Sequence, residues 1–389
     1  MYRSLAASRI VAFCGTLGVC AVASANPLGP TVVHGNVGIT TPGASVLQIT
    51  NSPGSVVDWQ SFSIGAGETT RFIQQNAASA ILNRVTGTQM SELLGNLTSN
   101  GRVFLINGNG ILVGEGATID TAGLVMSTLN ITNEDFLAGH YSFNGDETAG
   151  SIVNRGYIKT APGGEVILLA PRIVNEAVDG VENSGLIETP GGELILAAGH
   201  AITITSLDDP DISFEVQSSE HEVVNLGKLI AAGGSAEILA GTIRHSGEIN
   251  ADSISVDEQG RISLLASHRI ETSDDSVISA NGAGDGGTIR IEAAAADDTA
   301  TASVVLAGTV SANGEAAGGR IEVLGDDIAL GTVRISADGA TGGGAVRIGG
   351  DIQGADTLPA ARDVTVTGLS RISADATVNG DGGTVAVWS

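Results

Sequence analysis

Along most of the chain, short apolar runs are separated by corners rich in glycine, asparagine, aspartate and proline. The stretch from Arg102 to Gly114 sets the pattern. Phe104, Leu105 and Ile106 read as a short buried strand, and Asn107-Gly108-Asn109-Gly110 forms a corner of residues that tolerate left-handed backbone angles. Ile111-Leu112-Val113 then resumes the strand. Further strands are predicted at Thr31 to His34, Val46 to Ile49, Val56 to Trp59 and Arg71 to Ile73. Between Gln74 and Asn100, the spacing of Ile81, Val85, Leu93, Leu94 and Leu97 fits a short helix instead.

From about Gly145 the pattern repeats. Asn154-Arg155-Gly156-Tyr157-Ile158 followed by Pro162-Gly163-Gly164-Glu165-Val166 recurs as Asn183-Ser184-Gly185-Leu186-Ile187 followed by Pro190-Gly191-Gly192-Glu193-Leu194. The glycine pair steps from Gly163 to Gly191 and the asparagine from Asn154 to Asn183, so the two offsets differ by one position. Drifting copies follow at Ile278-Ser279-Ala280-Asn281-Gly282, Val310-Ser311-Ala312-Asn313-Gly314, Ile335-Ser336-Ala337-Asp338-Gly339 and Ile372-Ser373-Ala374-Asp375. Within these copies the strands alternate, Ile289, Ile291, Ile321 and Val323 pointing one way and Arg290 and Glu322 the other. One such unit is too small to bury its apolar side, whereas stacked units share a core and pair strands above and below. An unequal period with constant corners therefore predicts an all-β fold, a right-handed parallel β-helix. Small residues beside the corners allow close coil contact, and an asparagine at equivalent corners is placed to extend a side-chain ladder. Most aromatic residues precede position 160. Trp59, Phe62, Phe72, Phe104, Phe136, Tyr141 and Phe143 are expected to form an aromatic-rich cap at the N-terminal end.

Composition agrees with a solenoid: glycine is 55 of 389 residues, aromatics are 3% and hydrophobic residues 42%, too many for a disordered chain. Residues 1–25 read as a signal peptide, with Arg3 and Arg9 before an apolar run from Ile10 to Ala21 and Ala23-Ser24-Ala25 as the cleavage site. Cys14 and Cys20, the only cysteines, leave with it, so the mature chain has no disulfide to obstruct passage through a pore. The net charge of −25 becomes −27 once the two leader arginines are lost. Such a field, with Lys159 and Lys228 the only lysines, argues against nucleic-acid binding.

Several motifs carry a family resemblance. Val57-Asp58-Trp59-Gln60-Ser61-Phe62-Ser63-Ile64-Gly65, Ile81-Leu82-Asn83-Arg84-Val85-Thr86-Gly87 and the run from Gly101 to Gly114 come first. Gly116-Ala117, Gly123-Leu124-Val125 with Ser127-Thr128, and Phe136-Leu137-Ala138-Gly139-His140-Tyr141-Ser142-Phe143 follow. In this order the chain resembles, over about residues 28–145, the haemagglutination-activity domain that opens exoproteins of bacterial two-partner secretion. Its Asn-Pro-Asn-Gly-Ile signature stands here as Asn107 to Ile111, with Gly108 in place of proline. The resemblance implies three parts: a signal peptide (1–25), a secretion domain (26–145) and β-helical repeats (146–389). Gly382 to Ser389 breaks off within the repeat pattern, which suggests the front portion of a longer exoprotein.

The resemblance further implies an adhesin or haemagglutinin-like protein of a Gram-negative bacterium, secreted or held at the cell surface. It would leave the periplasm through a partner outer-membrane β-barrel transporter that carries periplasmic domains. Folding outside the cell, coil by coil, would disfavour backsliding. By similarity, Asn83, Arg84, Asn107, Asn109, Gly110 and Ile111 form the transporter-recognition region. The host or cell-surface receptor stays open.

No catalytic residue, cofactor or metal is assigned. A β-helical polysaccharide lyase or hydrolase is the alternative from another class, with Asp208-Asp209-Asp211, Asp274-Asp275, Asp297-Asp298 and Asp326-Asp327 as candidate carboxylates. All lie in polar joints that read as solvated turns. The secretion portion of a growth-inhibition toxin is a further possibility. Gly284-Asp285-Gly286-Gly287 and Gly380-Asp381-Gly382-Gly383 look like calcium turns but lack the nine-residue period, and the six histidines show no zinc spacing. Asn96-Leu97-Thr98 and Asn130-Ile131-Thr132 match the glycosylation sequon without further support.

Overall fold

The computed structural model describes residues 26–389 apart from 147, 205–206, 208–211, 216–220, 296–299 and 353–357. The expected leader with Cys14 and Cys20, and the clusters Asp208-Asp209-Asp211 and Asp297-Asp298, lie outside the described residues.

The chain winds as a parallel β-helix that lays one strand on each of three faces per coil. In one coil Asn96–Ser99 lies on the first face, Arg102–Ile106 on the second and Ile111–Val113 on the third. Each pairs in parallel with the next coil, at Thr118–Thr121, Gly123–Ser127 and Ile152–Asn154 respectively. Alternate residues point inward, so Leu97, Val103, Leu105, Ile111 and Val113 join one apolar core that runs from Leu47 to Ala361.

Strands Ala80–Val85, Ser91–Leu93 and Asn96–Ser99 occupy the stretch where a helix was expected. The four-residue spacings from Ile81 to Val85 and from Leu93 to Leu97 are also multiples of the strand period, and stacking decides between them.

The N-terminal end is closed by backbone. Thr31–His34 runs antiparallel to Ser55–Trp59 and Val37–Gly43 antiparallel to Val46–Asn51, which satisfies two strand edges of the first coil. Behind them Trp59 meets Phe62 edge-on at 5.7 Å, and Phe62 stacks on Phe72 at 6.5 Å. The other expected cap aromatics lie elsewhere. Phe104, Phe136 and Phe143, with Tyr141, belong to a second apolar cluster outside the coils.

That second cluster explains why the strands of the second face read as continuous apolar runs. Val56, Leu82, Phe104, Val125, Ile167 and Ile195 point outward from it, yet all are buried. They are covered by two insertions between the second and third faces. One contains a helix, Asn133–Ala138, and a strand, Tyr141–Asn144; the other contains strands Ala201–Ile204 and Ile212–Glu215. The three strands form an antiparallel sheet. Thr132 caps the helix, its hydroxyl accepting from the Asp135 amide at 3.0 Å, and Gly139 ends it in a left-handed conformation. The covering sheet joins residues 141–144 to 201–204, and the parallel coils run on both sides of residue 145.

Beyond this cover the outward positions of the second face include charged residues, among them Arg290, Glu292, Arg320, Glu322 and Arg347. Glu322 is buried among three arginines from successive coils: Arg290 at 3.0 Å, Arg320 at 2.7 Å and Arg347 at 3.6 Å.

Asparagine ladders form at two corners. In the first, Asn154 donates to Asn175 at 2.8 Å, Asn175 to Asn225 at 2.9 Å, and Asn225 meets His245 Nδ1 at 3.1 Å. The partner of Asn154 is thus Asn175 and not Asn183, because residues 176–183 are inserted between the asparagine and Gly185, which keeps its place. In the second, carboxyl or amide oxygens of Asp252, Asn281, Asn313 and Asp338 each accept a backbone amide from the next coil, at 2.6–2.8 Å.

Candidate functional site

The six residues picked out by resemblance fall into two groups joined by short contacts. At the corner after Arg102–Ile106, the Gly110 amide donates to the Asn107 carbonyl at 3.1 Å, closing a four-residue turn. The Asn107 side-chain oxygen accepts from the Asn109 amide at 3.0 Å, and its nitrogen donates to the Gln89 carbonyl and Ser91 Oγ, both at 3.0 Å. Asn109 donates onward to the Gly87 carbonyl at 2.9 Å. The turn is therefore tied to the coil below through both asparagines. Gly110 has φ of +118°, a region L side chains seldom adopt, and Ile111 drops into the core.

Asn83 and Arg84 lie on the second face and point to opposite sides of it. Asn83 is wholly buried inside the coils; it accepts from the indole Nε1 of Trp59 at 3.1 Å and donates to the Phe104 carbonyl at 3.1 Å. Arg84 reaches outward to Asp58 at 3.2 Å, Asn130 Oδ1 at 3.1 Å, the Ile131 carbonyl at 2.7 Å and Asn133 Oδ1 at 2.8 Å. It pins the start of the covering helix to the coils beneath. Asn130, part of a glycosylation sequon in sequence, thus serves as an acceptor for Arg84.

In the folded chain Asn83, Asn107, Gly110 and Ile111 are buried, Arg84 is half-buried and Asn109 is exposed. The site as folded is a set of internal staples with one exposed edge. Sequence reasoning missed Trp59 as the partner of Asn83, because the two lie 24 positions apart and meet only through stacking. It also missed the covering helix, although Thr132 and Asp135 carry the spacing of a capping pair.

Other titratable groups have structural settings. Burial pushes the His245 imidazole down to about 4. Burial, helped by the hydrogen bond to Glu188, pushes the Tyr157 phenol up to about 12. Asp326 accepts the Ala302 amide at 2.8 Å, and Asp327 pairs with Arg362 at 3.2 Å. Asp285 accepts the Ala317 amide at 3.1 Å, and Asp274 and Asp275 sit in a turn.

A coiled parallel core, an antiparallel closure of its first coil and two insertions clasped over one face define a class that the comparisons identify. The TPS secretion domain family matches residues 23–291, well over half of the chain, and the chain belongs to that family. It is therefore an exoprotein of two-partner secretion in Gram-negative bacteria, a class with a cognate outer-membrane transporter.

Among individual relatives, the chain is 30% identical over 241 residues to the heme/hemopexin-binding protein of Haemophilus influenzae strain KW20 Rd. That match covers 60% of this chain and 26% of the relative. A second Haemophilus influenzae heme/hemopexin-binding protein is 36% identical over 112 residues, covering 28% of this chain and 12% of that protein. The chain thus matches about a quarter or less of the length of these curated relatives. In three dimensions it is similar to the crystal structure of the HMW1 secretion domain from Haemophilus influenzae, with TM-score 0.71 and 33% identity, covering 90% of this chain and 84% of that one.

Proposed function

We propose that the chain is the secretion module of an adhesin or haemagglutinin-like exoprotein, read by the periplasmic domains of its transporter before it folds. The observation that carries this reading is the burial of Asn83, Asn107, Gly110 and Ile111 in the finished helix. A partner can reach those residues only while the chain is extended, as it is when threaded through a pore. An extended segment pairs readily with a strand edge, a recognition mode that needs backbone and a few side chains. Once outside, the same side chains close the staples described above, and each closed staple disfavours return. One sequence element then serves first as address and afterwards as internal fastening.

The test is release into the medium from cells that carry the cognate transporter. Asn109→Ala removes the one exposed member, and we expect reduced release with the purified variant folded as the parent by circular dichroism. Normal secretion of that variant would remove the recognition role. The receptor of the complete protein is a separate matter. The two Haemophilus influenzae relatives are heme/hemopexin-binding proteins, which favours haem or a haem-carrying protein over a glycan, and binding of the full-length exoprotein to haem-loaded but not haem-free hemopexin would assign the contact to haem. We infer a non-catalytic role, supported by the engagement of Asp326 and Asp327 in amide and arginine contacts. Turnover of acidic polysaccharides by the purified chain would overturn it.

A further inference from the structure

We infer that the two insertions on the second face act as a clasp that closes after the coils beneath it have stacked, so folding of this module is not a uniform addition of coils. The first observation is topological. Neighbouring coils meet across a single circuit of the chain, as from Arg102 to Gly123 or from Glu165 to Glu193. The clasp instead pairs Tyr141 with Ile204, Ser142 with Thr203 and Phe143 with Ile202, across two circuits, farther apart along the chain than even the longest coil pairing in this region, Arg172 with Glu222. The second observation concerns stability. Three strands of four residues and one helix of six cannot hold together in water, since short isolated elements are marginal at best.

The third observation supplies the order. Phe136, Phe143, Ile202 and Ile204 are buried against outward residues contributed by several coils, among them Leu82, Phe104, Val125, Ile167 and Ile195. These coils have to be stacked before the platform exists. The reverse dependence does not hold, because each strand of the second face also has inward residues in the separate main core. Coils can therefore form first, exposing a transient apolar stripe centred on Phe104, and closing the clasp removes that stripe from water. Arg84 marks where the clasp is anchored, through its bonds to Asn130, Ile131 and Asn133.

The consequence for a chain emerging end first is that strand Tyr141–Asn144 waits for Ala201–Ile204. A module truncated between the two insertions would display the stripe permanently. After closure, residues from Val56 to Leu239 on this face share one cover, whereas the one-sided coils beyond it have none.

Pulsed hydrogen exchange during refolding of the purified chain from urea tests this without a transporter, so its failure leaves the secretion reading standing. Amides in Arg102–Ile106 and Gly123–Ser127 should become protected in an earlier phase than those in Tyr141–Asn144 and Ala201–Ile204. Phe143→Ala, which empties the underside of the clasp, should speed exchange of the clasp amides by roughly a hundredfold while the coil strands keep their protection. Simultaneous protection of both sets in the parent would overturn the proposal. So would equal loss of protection throughout the variant.

Discussion

Replacing Asn83 by alanine tests the central staple most directly. In the folded chain this side chain answers two buried groups, the Trp59 indole N–H and the Phe104 carbonyl, each at 3.1 Å. Trp59 is wholly buried, so its N–H has no route to solvent when the acceptor is removed. Leaving a buried polar group unanswered costs about 1–3 kcal/mol. Relief of desolvating the asparagine itself offsets part of the two penalties, and the net loss should be about 2–4 kcal/mol. Trp59→Phe separates the hydrogen bond from the cavity. In the parent it strands the Asn83 oxygen, but in the alanine variant it deletes a donor that already has no acceptor. The two changes should therefore be less than additive by about 1–2 kcal/mol. Urea unfolding followed by circular dichroism supplies all four free energies and does not depend on the tryptophan that is removed. Additivity within about 0.3–0.5 kcal/mol, as independent sites show, would refute the claim that Asn83 acts through Trp59.

Three further outcomes follow from named geometry. Gly108 occupies the second position of a type of turn that favours proline there, and its φ is outside the positive region, so Gly108→Pro should stabilise the chain by about 0.4–1 kcal/mol in the same urea assay. A Cβ on Gly192 would lie 2.0 Å from the Gly164 carbonyl of the coil below, while one on Gly342 meets nothing within 4 Å. Gly192→Ala should therefore cost about 1–3 kcal/mol and Gly342→Ala less than about 0.5 kcal/mol, read as a shift of the urea midpoint. The imidazole of His245 is held neutral in the fold down to about pH 4, against an ordinary value of 6.5 when unfolded. The unfolded chain binds the extra proton between those values, so the contribution is present above pH 6.5 and is lost as pH falls toward 4, by up to about 3 kcal/mol. His245→Asn, the residue found at the three preceding rungs, should remove that pH-dependent loss in urea titrations between about pH 4 and 7.

Much of the architecture is legible in the residues because a stacked coil repeats its own rule. Alternation at Ile289, Arg290, Ile291 and Glu292 gives the strand and the side that faces inward, and the Gly163 and Gly191 pairs give the offset between coils. Where the chain leaves the rule, local pattern misleads. Asn154 and Asn183 share a local context, yet the insertion of residues 176–183 gives the ladder position to Asn175. Phe104 and Phe143 read as end caps because aromatics cluster early, but the feature that needs them is a lateral cover built from segments in different circuits of the chain. The six residues proposed for recognition stand out in the sequence as a set. Its internal bonding was not, since the contacts of Asn83 and Arg84 cross from coil to coil.

The carboxylate clamped between arginines also bears on how the coils find their order. Isoleucine and valine line the bore at almost every level, so a misplaced turn would bury much the same hydrocarbon as the correct one. Glu322 distinguishes the levels, because its three cations come from the turn before, its own turn and the turn after. A slip by a single level would leave a buried anion facing the wrong neighbours. The molecule thus counts its turns from the outside, by charge, where hydrophobic matching alone is indifferent.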